Sequence, residues 1–401
     1  MQKTEGDRIL IMVTGALLLI GLVMIYSASA VLAARQYGDS FLFLKKQVLW
    51  ACLGLLAMVV VSRIPYHYWK TMAIPLMLVT ILALTVVLIP FFGTEINGSR
   101  RWLRLGFLSV QPSELARLSV VVYLSVYLVK KRDRLDDFLH GFLPPVLVVG
   151  FLLALILAEP DFGTVVVMGT VAGILLFIGG SRLRHLWALA ILLTPAVYAM
   201  VMKIGYRRER LMAFLDPWKD PTNGGFQIIQ SFLALGEGGS LGVGLGEGRQ
   251  KLFFLPYPHT DFIFAVIGEE MGLVGTGVIL GLFVLLAWRG IRIAFQAPDP
   301  FGQYLAFGVT MMIVLQSQVN MAVVTGLLPT KGLTLPLLSY GGSSLVANLV
   351  GIGILINIAQ SQSPGGRKMK DLRHPAGIRS TIKRPQRISR ANSPAVVRRE
   401  G

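Results

Sequence analysis

The chain has 401 residues, of which 54% are hydrophobic and 15% are charged, and its mean hydropathy is +0.65. Soluble domains carry about 25% charged residues, and the charges here separate long apolar runs, so the composition excludes an ordinary soluble enzyme and indicates a polytopic membrane protein. The single cysteine, Cys52, excludes an intramolecular disulfide bond and a cysteine-based metal site.

About ten apolar runs are long enough to cross a bilayer core of ~30 Å. The first follows Lys3 and Arg8 and resembles a signal peptide, but its length favours an uncleaved span. The sequence therefore predicts an all-α polytopic membrane protein with about ten transmembrane helices and a large extracytoplasmic loop, about 204–260, between helices 7 and 8. The runs are 9–33, 47–62, 72–92, 113–130, 141–158, 162–180, 184–203, 261–288, 303–326 and 341–360.

The basic residues between the runs predict the orientation of the chain. With a cytoplasmic N-terminus, 1–8, basic residues lie in the inner segments as the positive-inside rule requires, although the long outer loops are not poor in them. An even number of spans in 9–360 then places the tail, 361–401, in the cytoplasm. Eleven Lys and Arg residues against two acidic residues lie in 367–401, and few aromatic residues accompany them, which predicts disorder. Beside a membrane span we expect such a tail to meet anionic lipid rather than nucleic acid.

Four polar segments fall on the predicted outer face. In the first, 93–114, the residues Arg100, Trp102 and Arg104 with apolar neighbours suit a short interfacial helix. Glu114 and Arg117 follow at a spacing of three, so they share a helix face and can form an ion pair. That pair suits either a structural clamp or a substrate site.

The second and third segments each carry an aspartate. Asp161 lies in a Glu-Pro-Asp-Phe-Gly turn, where turn chemistry and an active-site role both account for it. Asp261 opens a long apolar run, and because a carboxylate at the bilayer centre costs roughly 2.5–3.5 kcal/mol, it is either a solvated helix cap or a functional acid. His259 is a polar loop residue or a ligand, but these two groups lack the third partner of a metal site. The glycine-rich run 236–248 before them predicts close backbone approach rather than a nucleotide site.

The fourth segment, 326–344, breaks helical structure between two spans with Pro329, Pro336 and several glycines. Irregular backbone at membrane depth is tolerated where it lines a cavity or is covered by protein. Lys331 and the N–H groups of Ser343 and Ser344 at a helix start suit a phosphate. Four polar segments facing one way predict a cavity for an anionic lipid, and these features alone leave transport and transfer both open.

Several of these segments resemble the SEDS family (shape, elongation, division, sporulation) over about residues 9–360. Pro-Thr-Lys-Gly and His-Thr-Asp-Phe-Ile-Phe resemble its division branch, FtsW, more than its elongation branch, RodA. The matching motifs are Tyr26-Ser-Ala-Ser29, Asn97-Gly-x-x-Arg-Trp102, Gln111-Pro-Ser-Glu114, Glu159-Pro-Asp-Phe-Gly163, Asp216-Pro-Trp-x-Asp-Pro221, Leu255-Pro-x-x-His-Thr-Asp-Phe-Ile-Phe-Ala-Val-Ile-Gly-Glu-Glu270 and Leu328-Pro-Thr-Lys-Gly-Leu-Thr-Leu-Pro-x-x-Ser-Tyr-Gly-Gly-Ser-Ser344.

The resemblance implies a peptidoglycan glycosyltransferase of the inner membrane that polymerises lipid II at the division septum. Its implied partners are a class B penicillin-binding protein and other divisome proteins. It places the essential acid at Asp261 and supporting polar residues at Glu114 and Lys331. Relatives usually have Lys where this chain has Arg117, a change from a compact ammonium to a planar guanidinium.

The implied mechanism is inverting transfer, with Asp261 as general base for the acceptor hydroxyl and undecaprenyl pyrophosphate as leaving group. Lys331, Arg101 and Arg117 are the candidates to neutralise the pyrophosphate. A divalent cation such as Mg²⁺ or Mn²⁺ is a further candidate for that work, although no ligand set is readable. The alternatives are a lipid II flippase, which also fits ten spans and broken helices, and a non-catalytic division scaffold.

Overall fold

The computed structural model describes residues 5–96, 99–105, 108–252, 255–256 and 258–362. The predicted basic tail lies outside these residues, apart from its first two positions. The described chain is mainly helical. Its α-helices are α1 (Glu5–Tyr37), α2 (Leu42–Arg63), α3 (Tyr68–Leu88), α4 (Pro112–Lys130), α5 (Leu143–Ala158), α6 (Phe162–Ile178), α7 (Leu183–Met202), α8 (Gly205–Leu215), α9 (Phe226–Gly238), α10 (Ile263–Gln296), α11 (Pro300–Val324) and α12 (Gly342–Ser361).

The predicted membrane spans are present as helices. Nine helical segments of the described chain are long and apolar enough to cross a bilayer, with α5 counted from Phe138, and α6 is a tenth apolar helix of 17 residues. A helix of that length is about 25 Å long, shorter than the hydrocarbon core. The prediction of a polytopic helical membrane protein is confirmed, and the side of the membrane that each loop occupies stays a prediction.

The centre of the bundle is formed by α4, α11 and α12, whose surfaces are mostly covered by neighbouring helices. α2 packs along α12, α10 along α11 and α3 along α4, while α7 is almost entirely exposed at the edge. A helix that is covered all round reads as apolar all round, and the polar exceptions must then be hydrogen-bonded. Ser119 and Ser125 of α4 meet this requirement by donating to the carbonyls of Ala116 and Val121.

The predicted interfacial helix around Arg100 and Trp102 was wrong. The segment forms a three-stranded antiparallel sheet, β1 (Gly93–Ile96), β2 (Ser99–Leu105) and β3 (Leu108–Val110), in which Thr94 pairs with Trp102. The spacing of two between Arg100, Trp102 and Arg104 is the period of a strand. Because successive strand residues point to opposite faces, Arg101 is directed away from these three.

The long predicted loop, 204–260, contains α8 and α9, and its glycine-rich end is inserted into a break in α10. Gly272 has φ of 64°, which interrupts the hydrogen bonding of the helix. The carbonyls of Glu269 and Glu270 accept instead from Val243 and Gly244. In exchange, the amides of Leu273 and Val274 in α10 donate to the carbonyls of Gly239 and Ser240. The insertion therefore satisfies backbone groups on both sides of the break.

The predicted close backbone approach at the glycine-rich run is confirmed. A Cβ atom on Gly238 would meet the carbonyl of Gly268, and a Cβ on Gly242 would meet the carbonyl of Glu270. Any side chain at either position would push the inserted segment out of the break. The glycines therefore serve contact between backbones.

The side chains of Glu269 and Glu270 hold the end of the inserted segment. Glu270 accepts from Lys251 Nζ at 2.6 Å and from Ser27 of α1 at 2.6 Å, and both Glu270 and Lys251 are buried. Glu269 accepts from the backbone amide of Arg249 at 2.5 Å. A buried carboxylate is tolerated when its charge or its hydrogen-bonding capacity is satisfied: Glu270 is paired with Lys251, and Glu269 accepts from backbone amides. The chain leading toward residue 261 is thereby anchored to α10.

Candidate functional site

Asp261 lies two residues before α10, in a turn that is held by its backbone. The N-cap of α10 is Phe262 and no side chain caps the helix, so Asp261 does not act as the cap. Three successive carbonyls in this turn accept hydrogen bonds, at 2.9, 2.6 and 2.8 Å. The bonds run from Tyr340 N to His259 O, from Ser339 Oγ to Thr260 O and from Asn320 Nδ2 to Asp261 O.

Asn320 joins the Asp261 turn to the lysine segment. Its Nδ2 also donates to the carbonyl of Leu333 at 2.6 Å, so one buried amide holds both segments. Gly332, with φ of 64°, faces the aspartate: a Cβ there would lie 3.3 Å from Asp261 Oδ2. The side-chain carboxylate is thus left beside the backbone of the predicted phosphate-binding segment.

The carboxyl of Asp261 is half-buried, and burial raises its pKa to about 6. Arg210 and Arg101 oppose this rise and Asp161 adds to it. A pKa near 6 leaves the group ionised at neutral pH yet basic enough to accept a proton, which suits a general base. The electrostatics therefore agree with the functional alternative for this residue.

Asp161 is the N-cap of α6 and also faces the site. Its Oδ1 accepts from the Thr164 amide at 3.1 Å and its Oδ2 from the Thr164 hydroxyl at 2.8 Å. Arg101 Nη1 lies 4.0 Å from Oδ2. Gly163 lets this turn approach the lysine segment, because a Cβ there would lie 3.1 Å from the carbonyl of Lys331.

Arg101 fixes the sheet to the same turn. Its Nε donates to the carbonyl of Glu159 at 3.0 Å and its Nη2 to that of Pro160 at 2.7 Å. The Glu159 carboxyl is fully buried and neither oxygen has a hydrogen-bond partner among the described residues. Burial, and then Asp161, raise its pKa to about 9, while Arg101 opposes this, so Glu159 is neutral at pH 7.

The predicted ion pair between Glu114 and Arg117 is present, at 3.0 Å. Arg117 also donates to Gln316 of α11 at 2.5 Å and to the hydroxyl of Thr164 at 3.1 Å. Since Thr164 bonds Asp161, a continuous polar chain runs from Glu114 to the α6 turn. Every member is buried, as a paired charge within a membrane bundle must be. A cavity of about 30 Å³ adjoins the pair between α4, α11 and α12.

Lys331 and α8 bring positive charge to the site. Lys331 Nζ lies 5.4 Å from the centroid of the Phe162 ring, and burial lowers the pKa of this lysine. Arg207 lies 5.6 Å from the same centroid, and Arg210 donates to the carbonyl of Thr330. The sequence alone assigned no individual role to either arginine. Their spacing of three, which places them on one helix face, was the available signal.

The remaining predicted residues lie in structural contacts. The His259 ring packs on Phe43 at 4.6 Å between centroids, and burial lowers its pKa to about 4, so it is neutral. Ser343 Oγ accepts from the Gln111 amide and donates to the carbonyl of Ser109, which ties α12 to the sheet. Ser344 Oγ accepts from the side chains of Thr334 and Asn348. A substrate contact by His259, Ser343 or Ser344 stays a prediction.

Within the described residues, no three His, Cys, Asp or Glu side chains come together as a metal site would require. The two aspartates at the site face arginines: Asp161 lies near Arg101, and Asp261 lies near Arg101 and Arg210.

Comparison with known proteins places the chain in a family. The family model described as Cell cycle protein, which covers FtsW, RodA and SpoVE, matches residues 7–364. The chain belongs to this FtsW/RodA/SpoVE family. The resemblance to the SEDS family is thereby confirmed, and the chain is a multi-pass membrane protein.

Two relatives of this family member show the degree of similarity. A protein of Geobacter metallireducens named probable peptidoglycan glycosyltransferase FtsW is 48% identical over 353 residues, 88% of this chain and 94% of the relative. Stage V sporulation protein E of Bacillus subtilis is 44% identical over 359 residues, 90% of this chain and 98% of the relative.

Two solved structures share the fold of this family member. One, from work titled "Structural coordination of polymerization and crosslinking by a peptidoglycan synthase complex", has a TM-score of 0.73 and 33% identity, covering 88% of this chain and 98% of that one. The rod shape determining protein RodA of Thermus thermophilus has a TM-score of 0.63 and 28% identity, covering 88% and 96%. Curated relatives named FtsW are 44–48% identical to this chain, in agreement with the division-branch motifs.

Proposed function

We propose that this chain is a peptidoglycan glycosyltransferase that polymerises lipid II into glycan strands during septal cell-wall synthesis. The observation that carries the proposal is the setting of Asp261. Its carboxylate has a pKa near 6, its backbone is held by α11 and the segment before α12, and Arg101 and Arg210 lie nearby. The names of the relatives support the activity, since several are probable peptidoglycan glycosyltransferases.

In the proposed reaction, Asp261 accepts the proton of the acceptor sugar's 4-hydroxyl. That oxygen forms a bond to the anomeric carbon of the donor, with inversion, while the bond from this carbon to the diphosphate oxygen breaks. The lipid diphosphate leaves with the electron pair. Base catalysis of this kind is worth about 10²–10⁴-fold.

The cationic side chains divide into two groups in this proposal. Lys331 and Arg101 neutralise the charge that develops on the leaving diphosphate. Arg117 is held by Glu114, Gln316 and Thr164, so we assign it to positioning Asp161 through the Thr164 hydroxyl. A divalent cation would add to the charge neutralisation without replacing these residues.

We place the protein in the bacterial inner membrane at the division septum, with both termini in the cytoplasm and the Asp261 site open to the outer face. Its proposed partner is a class B penicillin-binding protein, which crosslinks the strands, within a wider set of divisome proteins. The structural similarity to a chain from a peptidoglycan synthase complex supports a partner of this kind.

The test separates an enzyme from a flippase and from a scaffold. The purified protein is reconstituted in liposomes with its penicillin-binding partner, whose transpeptidase serine is inactivated, and both glycan strands and lipid II translocation are measured. We expect the reconstituted protein to form glycan strands. Translocation without strands would establish the flippase, and neither activity with the partner bound would establish the scaffold.

A further inference from the structure

The setting of Arg207 in α8 differs from that of an ordinary surface charge. Its guanidinium lies 5.6 Å from the centroid of the Phe162 ring, and its Nη1 is buried without a hydrogen-bond partner among the described residues. A buried guanidinium N–H normally has an acceptor, because leaving it unmade carries the full cost of desolvation. The orphaned donor is therefore open to an acceptor from outside the described residues, such as a bound ligand.

Lys331 is a second cation at the same ring. Its Nζ lies 5.4 Å from the Phe162 centroid, and it forms no ion pair or hydrogen bond with the residues that the structure describes. Burial lowers the pKa of both Lys331 and Arg207, and Arg101 lowers that of Arg207 further. Two partly buried cations that share one aromatic ring repel each other. An anion between or beside them would stabilise the arrangement.

The charge around Phe162 is unbalanced. Arg101 and Arg210 add two more cations near the site, and each has backbone carbonyls among its acceptors. The carboxylates that face them are Asp161 and Asp261, because Glu159 is neutral at pH 7. Four cationic side chains and two carboxylates therefore lie in this part of the structure. A ligand with about two negative charges would neutralise the excess positive charge.

We propose that Arg207 and Lys331 bind the diphosphate of a lipid-linked substrate at the Phe162 ring. A guanidinium binds two phosphate oxygens at once, whereas an ammonium acts as a point charge, so the pair suits two neighbouring phosphates. The inference rests on the proposed function and adds Arg207 to it. The alternative is that Arg207 only anchors α8 by stacking on the ring.

The matched control lies on the same helix. Arg208 is exposed and has the same charge, while Arg207 is half-buried. We would measure equilibrium binding of undecaprenyl diphosphate, in detergent micelles, to the purified full chain and to Arg207→Gln, Lys331→Gln and Arg208→Gln. Undecaprenyl monophosphate and inorganic diphosphate serve as comparison ligands.

We expect Arg207→Gln and Lys331→Gln each to weaken binding of the diphosphate lipid by about tenfold or more, and Arg208→Gln to change it by less than about twofold. Arg207→Lys retains a cation, so its affinity for the diphosphate lipid should lie between those of Arg207→Gln and Arg208→Gln. Inorganic diphosphate should compete more weakly than the lipid because it lacks the apolar chain; equal affinity for the two would overturn the lipid-linked assignment.

Binding by Arg207→Gln that equals binding by Arg208→Gln would overturn the inference and leave Arg207 as an anchor of α8. Binding is measured without turnover, so it is independent of the proposed activity. Glycan strands from the wild type together with unchanged binding by Arg207→Gln would reject this inference alone. Specific diphosphate binding without strands would reject the proposed function alone.

Discussion

At the scale of single residues, the decisive arrangement is one carboxylate whose backbone is fixed and whose side chain is left to react. The carbonyls of His259, Thr260 and Asp261 all accept donors from outside their own turn. A base held in this way keeps its position relative to the substrate, and correct positioning of reacting groups contributes strongly to the reaction rate. Asn320 and Ser339 are therefore positioning residues in this account.

The pKa of Asp261 predicts the pH dependence of polymerisation. Burial raises this pKa to about 6, so the base is ionised above that pH and is lost by protonation below it. We expect kcat/KM, which reports the free enzyme, to be nearly constant above about pH 7 and to fall about tenfold per unit well below pH 6. The check is a series of initial rates between about pH 5 and 8, and a rate that rises on acidification would contradict the assignment.

Asn320→Asp tests the positioning role. Asn320 donates both of its hydrogen bonds to carbonyls, and a carboxylate would place an acceptor against the two acceptors of Asp261 and Leu333. Losing these bonds should lower kcat by about tenfold or more, and binding of the diphosphate lipid should also weaken because Asn320 holds the segment that carries Lys331.

The control for Asn320→Asp is Thr325→Val at the C-cap of the same helix, which removes hydrogen bonds to the carbonyls of Met321 and Ala322. Equal kcat values in Asn320→Asp and the wild type would remove Asn320 from the account.

At the scale of elements, the broken helix α10 is the feature that shapes the site. The inserted segment after α9 supplies the hydrogen bonds that the break at Gly272 removes, and Glu269 and Glu270 hold the chain that continues to Asp261. The first part of α10 and the turn before it are thus supported from both sides. Removing the insertion would expose unpaired backbone groups inside the bundle.

Gly272→Ala should destabilise the protein strongly. The residue has φ of 64°, and an added Cβ would meet the amide nitrogen of Gly242. We expect a loss of about 2 kcal/mol or more in the free energy of unfolding. Gly277 lies in the same helix with open space around its Cβ position, so Gly277→Ala should be neutral or stabilising by up to about 1 kcal/mol.

Thermal unfolding of the purified protein in detergent compares the two alanine variants. Similar melting temperatures for Gly272→Ala and Gly277→Ala would show that the break does not depend on glycine.

At the scale of the whole molecule, the site is assembled from segments far apart in sequence. Residues from the sheet, the α6 turn, α8, the Asp261 turn and the lysine segment converge around one aromatic ring and one carboxylate. Apolar run length predicted the spans because a bilayer sets one length for all of them. The location of their segments on one predicted face indicated that Asp261, Asp161 and Lys331 line one cavity.

Other features could not be predicted because they depend on tertiary contacts. The strand period of Arg100, Trp102 and Arg104 was present in the sequence, but interfacial composition outweighed it and the sheet was missed. The break at Gly272 depends on bonds to residues about thirty positions earlier, which no local pattern contains. Arg207 and Arg208 are adjacent identical residues, and only the packing of α8 against Phe162 distinguishes them.

We propose that Asp261 is the general base of a glycan polymerase. The most direct measurement is the rate of strand formation from labelled lipid II by the wild type, Asp261→Asn and Glu209→Gln, with the partner present and its transpeptidase inactive. Glu209 is exposed on α8, outside the Asp261 turn, and provides the same carboxylate-to-amide change. We expect Asp261→Asn to form strands about 10²–10⁴-fold more slowly than the wild type, with an unchanged melting temperature, and Glu209→Gln to form them at the wild-type rate. Strand formation by Asp261→Asn at the wild-type rate would contradict this proposal.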